Sequence, residues 1–557
     1  MDFVEPFDTP DKLVAAEANS AALVGKLRED WTGRLNAIHN LDRSSVFWGR
    51  YTDTWLWLAV MACWARWRYM EELVDATGPE SVSVAVRTEI ADWHFPDFAS
   101  LMSPLLSNRE FQWQIDSEIA RYLAPSTWTL EGSPSQAPAA AADNSNIPCQ
   151  AQSFVRRIFP RLAVDHLPGI SKSKLFYSVL VSLMPRRIAR PSAAAGDATQ
   201  RLPFPSSFLE FLDRFLEITV PDTIAGNAFT ALDKDVSKIR FFPGRLFVAN
   251  TRSPDDRNRL VSAHALLAGE RLVNAQHGGW EGTAATVPWN RQTYADDHAF
   301  LTWGWHRQAG LPGRCLPHLS PALGRLRNRH RETHASLLLV GARLALNGMR
   351  FDCVPRPKQM LAYRAAKVNF LKALNPAIRG GARYRPYTRG ASDLADGPHV
   401  TTKVPKVEIQ TGDFDQAMLG CRLLVVDHPG TTLHRALAAN TPTVCFWNED
   451  DWPICSEAQH VFRALRDAGI LYSTPEEAAD FINDIWSDVP SWWNAEAVIA
   501  ATADWKRKYA LTGPFWGLAL AKTLWRLSRM KADQPRTASP MPKGRWYESQ
   551  TNSRVVH

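Results

Sequence analysis

The stretch Leu423-Leu424-Val425-Val426-Asp427-His428-Pro429-Gly430-Thr431-Thr432 constrains the fold more than any other. Four apolar residues make a buried strand, and the polar turn after them opens a helix over 433–440. Pro442 ends that helix, and a second strand follows over 443–447. Strand, turn, helix and strand form a βαβ unit, which requires a parallel sheet. Parallel sheets take ligands where strand C-termini meet helix N-termini. At that point stand Asp427, His428, Pro429, Gly430, Thr431 and Thr432. Gly430 admits close approach to the backbone. The threonines can cap the helix or donate to an anion, and the free N–H groups and helix dipole favour phosphate. A capped helix in an ordinary α/β core is the alternative.

A second segment has the same form. Arg271-Leu272-Val273-Asn274-Ala275 is strand-like and runs into Gln276-His277-Gly278-Gly279-Trp280-Glu281-Gly282. The glycines suit a backbone that wraps a ligand or takes positive φ. His277 can contact phosphate or act as general acid or base. Taken alone it is a solvated turn histidine; with two such strand ends in separate halves of the chain, a cleft between two α/β domains is the economical reading.

These residues, with others, resemble the leptospiral-type family of bacterial transferases found in surface-polysaccharide biosynthesis clusters. The resemblance rests first on Arg34-Leu35-Asn36-Ala37-Ile38-His39, Ser45-Val46-Phe47-Trp48 and the Trp-rich 55–69 stretch. Mid-chain it rests on Gln276-His277-Gly278-Gly279 and Phe300-Leu301-Thr302-Trp303-Gly304-Trp305. It continues through 427–448, Ala468-Gly469-Ile470, 473–479 and Trp492-Trp493, spanning 30–510. The resemblance implies a GT-B-like α/β glycosyltransferase: two Rossmann-like domains facing a cleft, with an N-terminal helical segment. It implies a nucleotide-sugar donor, a CMP-sugar being one choice since the His-Pro pair is similar to that of sialyl- and Kdo-transferases. The acceptor implied is a glycan or lipid-linked glycan, as in lipopolysaccharide or capsule synthesis, with peripheral association at the inner membrane. Two departures are visible. Trp280-Glu281-Gly282 inserts an acid after the glycine pair, and Arg385 takes the place of an aromatic in Arg383-Tyr384-Arg385-Pro386.

On this reading His428, Pro429, Gly430, Thr431 and Thr432 hold the donor, with Gln276, Gly278 and Gly279 contacting it from the facing turn, which the two glycines shape, and Arg383 as a further cation. His277 is the candidate base, Glu281 its rival, and Asp427 either orients His428 or caps the turn. His39 is a weaker candidate, set against a core role. Trp280 is the indole best placed to stack on a sugar or base. No cofactor beyond the donor and no obligatory metal are expected, and Glu449-Asp450-Asp451 reads as a solvated loop. The alternatives are transfer of a CDP-linked phosphoalditol of teichoic-acid type and a non-catalytic scaffold in a polysaccharide assembly complex.

Composition narrows the classes. At 557 residues the chain exceeds one core. A net charge of +7 with no basic run or interleaved aromatic stripe argues against nucleic acid. Seven scattered cysteines without a C-x-x-C exclude a disulfide framework or zinc knuckle, and Cys421 and Cys445 read as core. The acidic first ten residues lack an apolar h-region, and the longest apolar run, 55–65, is too short to span a bilayer, so a cytoplasmic protein is expected.

Along the chain, 11–75 and 109–123 read helical, with Trp55, Leu58, Met61 or Ala62, and Ala65 as a stripe. Residues 125–148 and 191–205 read as loops. Domains are expected at 1–320 (acceptor side) and 330–530 (nucleotide-sugar side), with a hinge in 311–332 and a disordered tail at 531–557. Further expectations are a helix over 357–374, a turn at 383–386, a helix over 476–486 capped by Thr474 with Pro475 at N1, and one late helix over 505–530.

Overall fold

The computed structural model describes residues 4–88, 93–133, 164, 170, 173–187, 202–248, 255–287, 298–307, 314–343, 351, 354–387 and 395–530. The expected tail at 531–557, Cys149, Cys353 and most of the two expected loops lie outside them.

Two long helices open the chain, α1 (Pro10–His39) and α2 (Ser45–Thr77). Asn40 in the left-handed region turns the chain between them. The expected stripe on α2 is in fact burial on every side: each residue from 47 to 53 and from 55 to 63 is buried. A helix apolar all round belongs inside a core. Trp48, Trp55, Trp57 and Trp67 fill that core together with helices Arg109–Leu123 and Ser206–Thr219. A small parallel pair, β1 (Val82–Arg87) and β2 (Trp128–Ser133), lies beside it and was not foreseen.

The first large sheet is parallel, with order β3 (Leu246–Val248), β4 (Arg271–Ala275), β5 (Ala299–Thr302) and β6 (Cys315–Pro317). Side chains alternate between its faces, as strand geometry dictates. Phe247 and Leu272 point into the helical core, while Leu246, Val248 and Val273 point the other way. The first face is covered by helix Asp256–Leu267, packed against α2. The second is covered by α3 (Lys174–Leu183) and by a helix from the far end of the chain.

The second sheet has six parallel strands: β7 (His334–Val340), β8 (Arg383–Arg385), β9 (Glu408–Ile409), β10 (Cys421–Val426), β11 (Thr443–Phe446) and β12 (Leu471–Tyr472). Their spatial order is β9-β8-β7-β10-β11-β12, which is the 3-2-1-4-5-6 order of a Rossmann sheet. Helix α4 (Pro357–Ala373) follows β7, and α5 (Thr431–Ala439) joins β10 to β11. The expected turn at 383–386 is therefore a strand, because residues 383–385 pair with β7 and β9. Thr474 caps helix Pro475–Ile485 in a capping box with Glu477, with Pro475 in its first turn.

The expected late helix is two, α6 (Glu496–Tyr509) and α7 (Trp516–Arg529), broken around Gly513-Pro514. Helix α6 packs with the second sheet's helices. Helix α7 crosses back and puts Leu520, Leu524 and Leu527 against the first sheet. Arg271 fixes it there. Its guanidinium donates to the Leu527, Ser528 and Met530 carbonyls at 3.1, 3.0 and 3.2 Å. These are the carbonyls a helix leaves unpaired at its C-terminus. The chain thus passes between the sheets twice, after β6 and after α6. Leu511 ties the return passage to the other crossing through its carbonyl, which accepts from Ser320 N–H (2.8 Å), and to the end of β5 through its N–H, which donates to Trp303 O (2.7 Å). Two parallel α/β sheets whose strand C-termini meet across one junction make the GT-B-like arrangement.

Candidate active site

The site lies where the Rossmann sheet changes winding direction, between β7 and β10. Parallel strands there leave a crevice at their carboxyl ends. Val426 stands beside Val340, so Asp427 and Gly341 share the rim.

Asp427 is fully buried and carries one structured partner on each side. Its Oδ1 accepts from Tyr363 OH at 2.7 Å and from His428 Nδ1 at 2.9 Å. Its Oδ2 faces the Lys367 ammonium at 3.4 Å. Burial alone would raise this carboxyl, but Lys367, His428 and Tyr363 together hold it below the usual aspartate value. An ionised carboxylate only accepts, so Nδ1 of His428 carries the proton. Nε2 is then the nitrogen that can meet a ligand. The ring folds over the start of α5: a methyl group on Gly430 would sit 2.9 Å from Nε2. Asp427 therefore fixes the tautomer of His428 through the bond to Nδ1.

Lys367 was not foreseen. It has no exposed surface, lies 3.4 Å from both Asp427 and Asp396, and rests on the Tyr363 ring. Asp396 also accepts from Arg364 and from Tyr384 OH. Gly341 makes room for this cluster, since a Cβ there would lie 2.5 Å from the Tyr384 oxygen. The available signal was the spacing of Tyr363 and Lys367, which puts both on one face of α4 beside the buried Val368 and Leu371.

The first sheet's turn meets α5 directly. Gly279 N–H donates to Thr431 Oγ1 at 2.9 Å. A Cβ on Gly279 would lie 2.5 Å from His434, and one on Gly278 would lie 3.0 Å from Thr431. These glycines serve close approach between the two halves, whereas positive φ is needed only at Gly282. Trp280 stacks on Trp452, rings 5.3 Å apart and 20° from parallel, and Trp452 in turn lies 5.9 Å from His428. The indole singled out for a sugar or base is thus already paired with another indole across the junction. Through these contacts the structure brings His277 and His428 to the borders of one junction.

Several expected site residues have other work. Gln276 is buried, and its amide is fully used: it accepts from Trp303 N–H and Trp305 Nε1–H and donates to the Gly278 and Glu281 carbonyls. It builds the turn and leaves no donor for a ligand. Glu281 is buried too, and accepts from the His277 N–H at 3.0 Å, so it braces the turn. His277 itself is exposed. Thr431 and Thr432 are half-buried in the first turn of α5, and Gly430, the N-cap, gives no side-chain cap. Pro429 is buried in the turn. Arg383 sits two residues before the carboxyl end of β8 and turns towards Gln410 and Glu408 on the sheet edge, so it does not reach the site. His39 bonds the Ile224 carbonyl and packs on Phe229, which is its core role.

Two further histidine and carboxylate positions went unread. His434 is fully buried, and burial lowers its pKa to about 4, so it packs as a neutral ring against Gly279 and Trp505. Asp451 lies in a short 3-10 helix beside Trp452 and is buried, not solvated as expected. Burial and then the neighbouring Asp450 push its carboxyl up to about 7. In the window from about 4 to about 7 the folded protein keeps a proton that the unfolded chain has lost, so stability falls as pH rises through it. Asp451→Asn should abolish that component, giving a flatter Tm profile between about pH 4 and about pH 7. Parallel profiles in the two proteins would show that Asp451 is ordinary.

A model of the LIC12162 family transferases matches residues 1–524. The chain belongs to that family. It is accordingly a transferase, and the recognised motifs all fall within the matched span. No curated protein matches it. Among solved structures it is similar to WaaG, a glycosyltransferase involved in lipopolysaccharide biosynthesis, at 12% identity over 58% of this chain and 83% of that one, with a TM-score of 0.27. It is also similar to a mutant O-GlcNAc transferase of Thermobaculum terrenum, at 13% identity over 92% and 97%, with a TM-score of 0.30. Both TM-scores are too low to carry an argument.

Proposed function

We propose that this transferase moves a sugar from a nucleotide-activated donor to a bacterial surface glycan acceptor, free or lipid-linked, at the inner membrane. The observation that carries the reading is His428, held by ionised Asp427, lying over the uncapped start of α5 at the switch point of a Rossmann sheet. A helix N-terminus there favours the leaving phosphate without a metal, and Nε2 of His428 is the ring nitrogen placed to contact the donor. Residues 330–530 hold the donor, a CMP-sugar being one candidate, and residues 1–320 face the acceptor. The bond from the anomeric carbon to the donor phosphate breaks as the acceptor oxygen attacks. His277, on the opposing turn, takes the acceptor's hydroxyl proton.

A thermal-shift screen of CMP, CDP, UDP, GDP and dTDP tests this, because a ligand of the native state raises Tm by mass action. One nucleotide should stand out. His428→Ala should weaken that nucleotide's binding by about tenfold or more, the worth of one hydrogen bond to a charged group, with the fold intact. Calorimetry showing equal affinity would remove His428 from the donor site. A variant that unfolds would make it structural.

A further inference from the structure

Helices α3 and α7 lie side by side over the same face of the first sheet. Tyr177 OH of α3 donates to the Gly517 carbonyl of α7 at 3.0 Å, and the inward residues Tyr177, Val181, Leu520, Leu524 and Leu527 share one core. Their outward faces are unlike the rest of the described surface. On α3, Leu175, Phe176, Val179 and Leu183 are 42, 63, 52 and 78% exposed. At and along α7, Phe515, Leu518 and Trp525 are 74, 73 and 40% exposed. Seven of the fifteen large exposed apolar side chains among the described residues thus fall on or directly before two touching helices. Scattered exposed apolar side chains need no explanation, but a gathered patch does.

Charge says what covers it. Lys522, Arg526 and Arg529 project from α7, and Arg186 and Arg187 follow α3, all exposed. Neither 173–187 nor 511–530 contains an aspartate or glutamate. Apolar side chains flanked by cations, with no acid on either helix, match the boundary between acyl chains and anionic headgroups. A second copy of this chain would set these cations against each other, which argues against self-association through this face.

We propose that the α3–α7 face is a docking surface for an anionic lipid bilayer. The cations meet phosphate headgroups while Phe176, Leu183, Phe515 and Leu518 enter the acyl boundary. No helix among the described residues is long and apolar enough to cross a membrane, so this contact lies in the interface plane. The inference deepens the membrane part of the function proposed above, and rests on that reading only for the reason a membrane is needed.

Flotation of the full chain with phosphatidylcholine vesicles, with and without phosphatidylglycerol, tests it and requires no nucleotide. Binding should appear with the anionic vesicles and weaken with salt. Two variants separate the contributions: Phe176→Ser with Leu518→Ser, and Lys522→Glu with Arg526→Glu. Both replace exposed residues, so both should keep the parent Tm, and each should lower partitioning by about tenfold or more. Absence of flotation, or equal flotation of parent and variants, overturns the proposal. So does a dimer in light scattering that both variants dissolve, since the face would then meet a second copy. Flotation that persists while no nucleotide shifts Tm would leave the docking surface standing and sink the sugar-transfer reading instead.

Discussion

Lys367→Met should be the most damaging single substitution in the second sheet. The variant keeps the length of the side chain and removes the one charge that Asp427 and Asp396 share. Breaking a buried ion pair by deleting one partner costs about 3–5 kcal/mol, because the remaining charge stays out of water. Asp427 is then left with Tyr363 and His428 while Asp396 keeps Arg364, and both carboxylates are at most 3% exposed. A urea titration should show the loss as a lower midpoint. The pH dependence should move as well. Asp427 is depressed in the native protein, so its contribution is present above the unfolded value of 3.8 and is lost as pH falls through the native one. Without Lys367 that loss should begin at higher pH. An unchanged midpoint would show that the lysine is not their counter-charge.

His277→Ala should act on turnover and leave the fold alone. The ring belongs to an exposed residue, and Glu281 holds the turn through the backbone N–H, which alanine retains. If His277 is the base, turnover should fall by about 10²–10⁴ while donor affinity stays as it was. Loss of donor affinity to the same degree as in His428→Ala would move His277 from proton transfer to phosphate contact. Glu281, which accepts from the His277 N–H, would then be the base to test next.

Much of this architecture can be read from the chain. The β10–α5–β11 unit is legible because a strand buried on both faces is an unbroken apolar run, and because Pro442 and Asn440 punctuate the helix end. Thr474 and Pro475 announce a helix start by chemistry that acts within four residues. What fails is what depends on neighbours distant in sequence. Strand order is not written locally, so the switch point beside β10 cannot be found before β7 is placed. Arg383 and Arg385 differ by one pleat period, and only the register with β7 tells which is nearer the site. Gln276 looks like a ligand-binding amide until Trp303 and Trp305 occupy it. Trp280 looks free until Trp452 stacks on it, from the other half of the chain. Lys367 reads as a surface lysine because its two partners lie 29 and 60 residues further on.

The tie at Leu511 has a mechanical meaning. The chain enters the second sheet after β6 and leaves it after α6, and a backbone hydrogen bond from Ser320 N–H to Leu511 O joins the two passages. Two bodies joined by a single strand of chain can twist as well as open. The halves are held at a second place too, where Ala285 N–H donates to Pro453 O (3.0 Å) and Cys455 N–H to Thr283 O (2.8 Å), so a swing about the line of the crossings has to break these bonds first. A cut in either passage would leave the halves tethered by the other. Any opening of the Gly279–Thr431 contact by such a swing to admit a ligand therefore has to release this second tie as well.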